Sequence, residues 1–203
     1  MVIKENTEWT RVWCVNCRDT EKKRILLTGD SVCDGYYDTV SDCMKENYNV
    51  DKLVTSRALD SEVFFAQLET VLKDSTYHLI SFNNGLHGFH LDAENYRNGY
   101  NRAMDLLKAY NVVILKTTPL TLPDDTENYG EENETVKERN QIAEHIAAER
   151  GLRVLDLYSY VFGNAEIRRP DGFHYTEQGY RIIGKYVADF LLHTDALDGT
   201  VEN

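Results

Sequence analysis

A serine able to act as a nucleophile stands at position 31, in the run Gly29, Asp30, Ser31, Val32 that closes an apolar stretch and opens a helical pattern. At such a turn the hydroxyl lies at the rim of a sheet and the serine amide at a helix N-terminus, where developing negative charge is favoured. The plain alternative is that Asp30 or Ser31 does no more than cap the helix. Far along the chain, Asp171, Gly172, Phe173 and His174 form a D-x-x-H turn, with Thr176, Gly179 and Tyr180 entering the final helical pattern. A serine hydroxyl is a weak nucleophile and needs a base; the base needs a carboxylate that fixes its tautomer and stabilises the imidazolium. Three-residue spacing on a turn lets Asp171 bond one ring nitrogen of His174 and leaves the other for Ser31.

The other five histidines have duller readings. His145 falls within a helical pattern, His193 closes the last helix and His78 sits inside a strand, whereas His174 alone follows a loop carboxylate at this spacing. His87 and His90 are metal-ligating types without a clear third ligand, so no metal and no cofactor is expected. Cys14 and Cys17 have CxxC spacing without a second such pair, which reads as a free dithiol ahead of a metal- or redox-sensing motif. Two further runs matter because they follow apolar strands. Phe82, Asn83, Asn84, Gly85, Leu86, His87 and Gly88 place an amide side chain where it could face an oxyanion, or simply form an Asn-Gly turn. Ser56, Arg57, Ala58, Leu59, Asp60 and Ser61 offer a backbone N–H as a second donor.

What must position these groups is an alternation of five short apolar runs (24–28, 49–55, 77–82, 112–117 and 153–157) with helical patterns at 34–47, 61–73, 93–110, 134–150 and 176–193. That is the sequence form of a parallel α/β sheet, and continuous apolarity implies strands covered on both faces. In open α/β sheets ligands bind at the carboxyl ends of the strands, which is where the reactive residues fall. Gly151 reads as a helix C-terminal glycine and the stretch from Asp92 as a helix start. Residues 119–135 carry two prolines, Gly130 and six carboxylates, and read as an acidic surface loop, either a rim of the site or a bystander. Residues 1–23 read as an N-terminal extension and 195–203 as a frayed tail, around one domain spanning 1–203.

Composition excludes several classes. With 42% hydrophobic and 28% charged residues the chain is neither disordered nor fibrous. A net charge of −12 repels phosphate backbones and anionic lipid, so neither nucleic acid nor membrane is an expected partner. The polar N-terminus shows no secretory pattern, and a cytoplasmic location with reduced thiols is the expectation.

Gly29-Asp30-Ser31 after the first strand, an Asn-containing turn after the third, and Asp171-x-x-His174 before the last helix together resemble the SGNH/GDSL hydrolase superfamily. Thr117-Thr118-Pro119 and the HYTEQGY run from His174 to Tyr180 also resemble it. The resemblance implies a flavodoxin-like three-layer α/β/α sandwich on a five-stranded parallel sheet, and a serine esterase working through an acyl-serine intermediate. Ser31 would be the nucleophile, His174 the general base and then acid, and Asp171 its orienting partner. The oxyanion hole would combine the Ser31 amide, the Ala58 amide, where the family usually has glycine, and the Asn84 side chain, preferred over Asn83. The family's third block usually reads G-x-N-D, and the NNGLHG form here resembles an uncharacterised bacterial subgroup. The implied substrate is a short-chain ester, above all an acetyl ester, of a carbohydrate or small molecule. Acyl transfer by the same triad, or a noncatalytic ligand-binding module on the same fold, are the alternatives.

Overall fold

Every residue of β2 (Lys23–Gly29) after Lys23 is buried, which only a strand covered on both faces can achieve. Its side chains divide with a period of two: Ile25 and Leu27 join one hydrophobic cluster and Leu26 the other. β5 (Val112–Leu115) repeats the division, Val113 and Leu115 on one side, Val112 and Ile114 on the other. The computed structural model describes residues 3–198.

β3 (Tyr48–Thr55), β4 (Leu79–Phe82) and β6 (Arg153–Leu155) complete a parallel set, and β1 (Thr10–Trp13) pairs antiparallel with β3 at the edge. The order is β1-β3-β2-β4-β5-β6. The sheet is thus mixed and six-stranded, where five parallel strands were expected. The addition is β1, which falls in the stretch read as an N-terminal extension. Its four residues are mostly exposed and show no apolar run, so pattern could not reveal it. What seats it is pairing with β3 from Thr10 opposite Thr55 to Trp13 opposite Lys52, supported by Thr10 Oγ1 donating to Gln67 Oε1 at 3.0 Å.

On one face α1 (Ser31–Met44) packs with α6 (Glu177–Asp198) through Tyr36, Val40 and Met44 against Ile183, Val187 and Leu191. On the other, α2 (Glu62–Asp74), α3 (Ala93–Leu107) and α4 (Glu131–Arg150) contribute Phe65, Leu68, Tyr100, Leu107, Ile142 and Ile146. The result is the three-layer sandwich with the flavodoxin-like strand order. The connections run in opposite directions from β2, and the crevice this opens at the carboxyl ends of β2 and β4 is the usual ligand position.

Element ends differ from the sequence expectation where capping decides them. Asp30 caps α1, so the helix begins at Ser31 rather than 34. α4 begins at Glu131, because Glu131, Glu132 and Glu134 fill its first turn, where the helix dipole favours carboxylates. The acidic loop therefore ends at Gly130 and keeps only Asp124, Asp125 and Glu127. The Asp156 carboxylate accepts from the Ser159 N–H at 2.9 Å and starts a short helix, α5 (Leu157–Val161), which cuts the last strand at Leu155. Gly151, in the left-handed region at φ 66°, closes α4 as anticipated. α6 runs on through Asp198, into the segment expected to fray, and 199–203 lie outside the described residues.

Candidate active site

β2 ends at Gly29, and the next two residues divide the work at the turn. Asp30 is buried, and its Oδ1 accepts from the Val32 N–H at 2.9 Å and the Cys33 N–H at 3.4 Å, so Asp30 is the cap. Burial pushes its carboxyl above the usual range, against the pull of His87, these two N–H groups and His174. Ser31, relieved of capping, presents Oγ to the imidazole of His174, 2.8 Å from Nε2. Nδ1 of the same ring lies 3.0 Å from Asp171 Oδ2.

Asp171 also builds the turn that carries His174. Its Oδ1 accepts from the Phe173 N–H at 2.9 Å and the His174 N–H at 2.8 Å. Partial burial alone would raise the Asp171 carboxyl, but those two N–H bonds and the His174 ring outweigh it and hold the group below its ordinary value. An ionised carboxylate only accepts, so Nδ1 carries the proton and the lone pair of Nε2 faces the Ser31 hydroxyl. The turn is braced from outside: the Thr121 N–H donates to Gly172 O at 3.1 Å and the Asp124 N–H to Pro170 O at 2.7 Å. Arg168 Nη1 donates to Pro119 O at 3.0 Å. The acidic stretch after β5 thus packs directly on the loop that holds Asp171 and His174.

At the same carboxyl edge lie the loops after β3 and β4, the two strands that flank β2. Asn83 commits both amide hydrogens, to Leu115 O at 2.8 Å and Thr117 Oγ1 at 2.9 Å. Asn84 is buried and its side-chain amide donates to Arg57 O at 3.0 Å, while its main-chain carbonyl accepts from Tyr96 Oη at 2.8 Å. A carboxamide nitrogen has two hydrogens, so Asn84 retains the donor capacity that Asn83 has spent. The two loops touch at Ala58, which is buried: a Cβ placed on Gly88 would come within 2.3 Å of the Ala58 Cβ. Gly88 has φ 68°, so its lack of a side chain serves both conformation and close approach.

Arg139 was not anticipated. It lies deep within α4 at 2% exposure, and its guanidinium donates to Gly85 O at 2.9 Å, His87 O at 2.8 Å and Gly88 O at 2.6 Å. It also stacks near Phe89 and Tyr96 at 4.9 and 4.7 Å. An arginine in a helix rich in charged residues looks like surface, and no spacing marks it. Burial pushes its guanidinium below the ordinary value.

The remaining candidates are dispersed. His87 Nδ1 pairs with Glu5 at 2.8 Å and His90 Nε2 with Asp60 at 3.0 Å. Among the described residues no group of three or more His, Cys, Asp or Glu converges as a metal site. Cys14 and Cys17 are free thiols; burial pushes Cys14 up to about 11, the reverse of a reactive thiolate. Among the described residues no helix is long and apolar enough to cross a membrane.

The sequence matches the GDSL-like lipase/acylhydrolase family over residues 27–182, and the chain belongs to that family. No curated protein matches it by sequence. Among solved structures it is similar to a lipase/acylhydrolase from Enterococcus faecalis, with a TM-score of 0.67 and 17% identity, covering 83% of this chain and 95% of the other. A GDSL-like lipase from Bacteroides thetaiotaomicron gives 0.65 and 17%, covering 85% and 89%. A catalytic mutant of an acetylxylan esterase from Geobacillus stearothermophilus gives 0.65 and 12%, covering 81% and 92%. At these identities the likeness is one of fold: these are SGNH/GDSL hydrolases, and the chain shares their α/β architecture.

Proposed function

We propose that the protein is a serine esterase that removes short acyl groups, acetyl foremost, from a carbohydrate or small-molecule alcohol. The observation that carries the reading is the continuous hydrogen-bonded line from Asp171 through His174 to Ser31 at the carboxyl edge of the sheet. As Ser31 Oγ attacks the ester carbonyl, His174 Nε2 takes the hydroxyl proton and Asp171 stabilises the imidazolium. The carbonyl oxygen becomes an oxyanion, received by the Ser31 and Ala58 amides and the Asn84 side chain. His174 then protonates the departing alkoxide, the alcohol leaves and an acyl-serine stays behind. Water attacks this ester with His174 again as base, the acid departs, and Ser31 regains its proton. One ester bond and one water are consumed for one acid and one alcohol released.

The acetyl preference draws support from the acetylxylan esterase among the structural relatives. A net charge of −12, with Asp124 and Asp125 in the stretch packed on the catalytic turn, favours neutral esters over phospholipids or uronate-rich polymers. Hydrolysis of p-nitrophenyl esters of increasing chain length by wild type and Ser31→Ala, with circular dichroism on both, tests the reading. Turnover that falls with acyl length and vanishes in the variant supports it. Equal turnover in both proteins would remove Ser31 from the mechanism. Product partition between water and an added sugar acceptor separates hydrolysis from acyl transfer.

A further inference from the structure

β1 is antiparallel to β3, so the chain that precedes it, residues 3–9, begins at the carboxyl edge of the sheet, beside the loops assigned to the oxyanion hole. It is fastened there at three points. Trp9 exchanges hydrogen bonds with Ser56, its N–H donating to Ser56 Oγ at 2.9 Å and its carbonyl accepting from the Ser56 N–H at 3.1 Å. Glu8 pairs with Arg57 at 2.6 Å, and the two side chains are 13% and 20% exposed. Glu5 pairs with His87 at 2.8 Å, and the His87 ring meets the Trp9 indole edge-on with centroids 6.4 Å apart.

Both loops gripped in this way carry proposed oxyanion donors. Arg57 immediately precedes Ala58, and its carbonyl accepts the Asn84 amide at 3.0 Å. His87 belongs to the same turn as Asn84 and adjoins Gly88, which meets Ala58. Arg139 holds that turn from the core side through the carbonyls of residues 85, 87 and 88. The N-terminal segment holds it from the solvent side.

The structure assigns residues 3–9 as a strap that positions the oxyanion hole, with Glu8 acting through Arg57 and Glu5 through His87. This inference rests on the esterase reading above. The strap touches no reacting atom in the proposed chemistry. Its effect is to fix the separation of the Ala58 amide and the Asn84 side chain, and an oxyanion hole loses its value when its donors drift by a fraction of an ångström. Because the oxyanion forms only after attack, loss of the strap lowers kcat and leaves ground-state binding nearly untouched.

The test uses the full chain, with Glu5→Gln, Glu8→Gln and the double variant compared with wild type and Ser31→Ala on p-nitrophenyl acetate. Both substitutions keep shape and one acceptor oxygen while removing the charge and turning the other oxygen into a donor nitrogen. The double variant is expected to lose roughly tenfold to a hundredfold in kcat with KM within about twofold of wild type. Glu8→Asp, which retains the charge, is expected to recover part of what Glu8→Gln loses. An unchanged kcat, a loss confined to KM, or a kcat loss that disappears on cooling well below the melting transition would overturn the assignment. Arg57→Gln, which removes the opposite charge of the same pair, gives a second route to the same kcat loss should the double variant fold poorly. Absence of Ser31-dependent turnover in wild type would overturn the esterase reading and the strap with it. Normal wild-type turnover with an unaffected double variant would overturn the strap alone.

Discussion

Ser31 Oγ and His174 Nε2 stand 2.8 Å apart although 143 positions separate them in the chain. Two independent turns converge to make this contact, one capped by Asp30 and one built on Asp171. Removing the hydroxyl by Ser31→Ala leaves the Asp30 cap intact, so the fold is expected to survive while esterase turnover falls by roughly 10⁴-fold or more. Circular dichroism and ester hydrolysis on the same sample check both halves.

The two other members of this line are not equivalent. His174→Ala removes the base outright. Asp171→Asn keeps the imidazole and an oxygen able to accept the Phe173 and His174 amides, but presents an N–H to Nδ1 and so favours the wrong tautomer. Asp171→Asn is therefore expected to retain more kcat than His174→Ala. The reverse ranking, measured on one short-chain ester, would remove Asp171 from its orienting role.

The pH dependence follows from Asp171 being held below its ordinary value. A carboxylate depressed in the folded state contributes stability that is present above its unfolded value and lost as pH falls through the folded one. Asp171 therefore keeps its charge at any pH above its ordinary unfolded value. The acid limb of log kcat/KM is expected to have a slope of about one, from a single essential base with Asp171 already ionised. A slope near two would mean that the Asp171 carboxylate takes up a proton on the same limb.

Gly88 offers a test of the contact between the two loops proposed to hold the oxyanion. Gly88→Ala puts a methyl against Ala58 and a side chain at φ 68°, which costs about 1 to 3 kcal/mol and pushes the loops apart. Turnover is expected to fall more than the melting temperature. Adding Ala58→Gly removes the clash but not the backbone strain, so the double variant is expected to recover activity ahead of stability.

Stability has its own centre at the opposite edge of the sheet. Arg24 and Asp51 form a buried pair, with Nη1 to the two carboxylate oxygens at 2.8 and 3.0 Å, while Tyr77 Oη and the Val15 N–H also donate to Asp51. Asp51→Ala would leave a buried guanidinium without its partner and is expected to cost about 3 to 5 kcal/mol in denaturant unfolding. Per folded molecule, turnover at the distant site should change little.

The sequence by itself determined the layers and the two turns on which the proposed chemistry rests. Runs such as RILLT and VVIL are apolar throughout, and only a strand buried on both faces tolerates that. A serine after one strand and D-x-x-H before the last helix are local signals, because each turn is organised by its own residues: Asp30 caps its helix and Asp171 bonds the two amides that follow it. What the tertiary structure decided are features whose energy comes from partners distant in the chain. β1 exists because β3 offers it an edge. Arg139 is interior because three carbonyls of a loop more than fifty residues away surround it, and nothing in its helix marks it as different from its exposed neighbours. Which carbonyls the amides of Asn83 and Asn84 donate to depends on how β5 and the loop after β3 are placed. Period and composition report whether a residue faces water or core. They carry no record of which particular groups meet it there, and the contacts of residues 3–9 with the loops after β3 and β4 are made of such meetings.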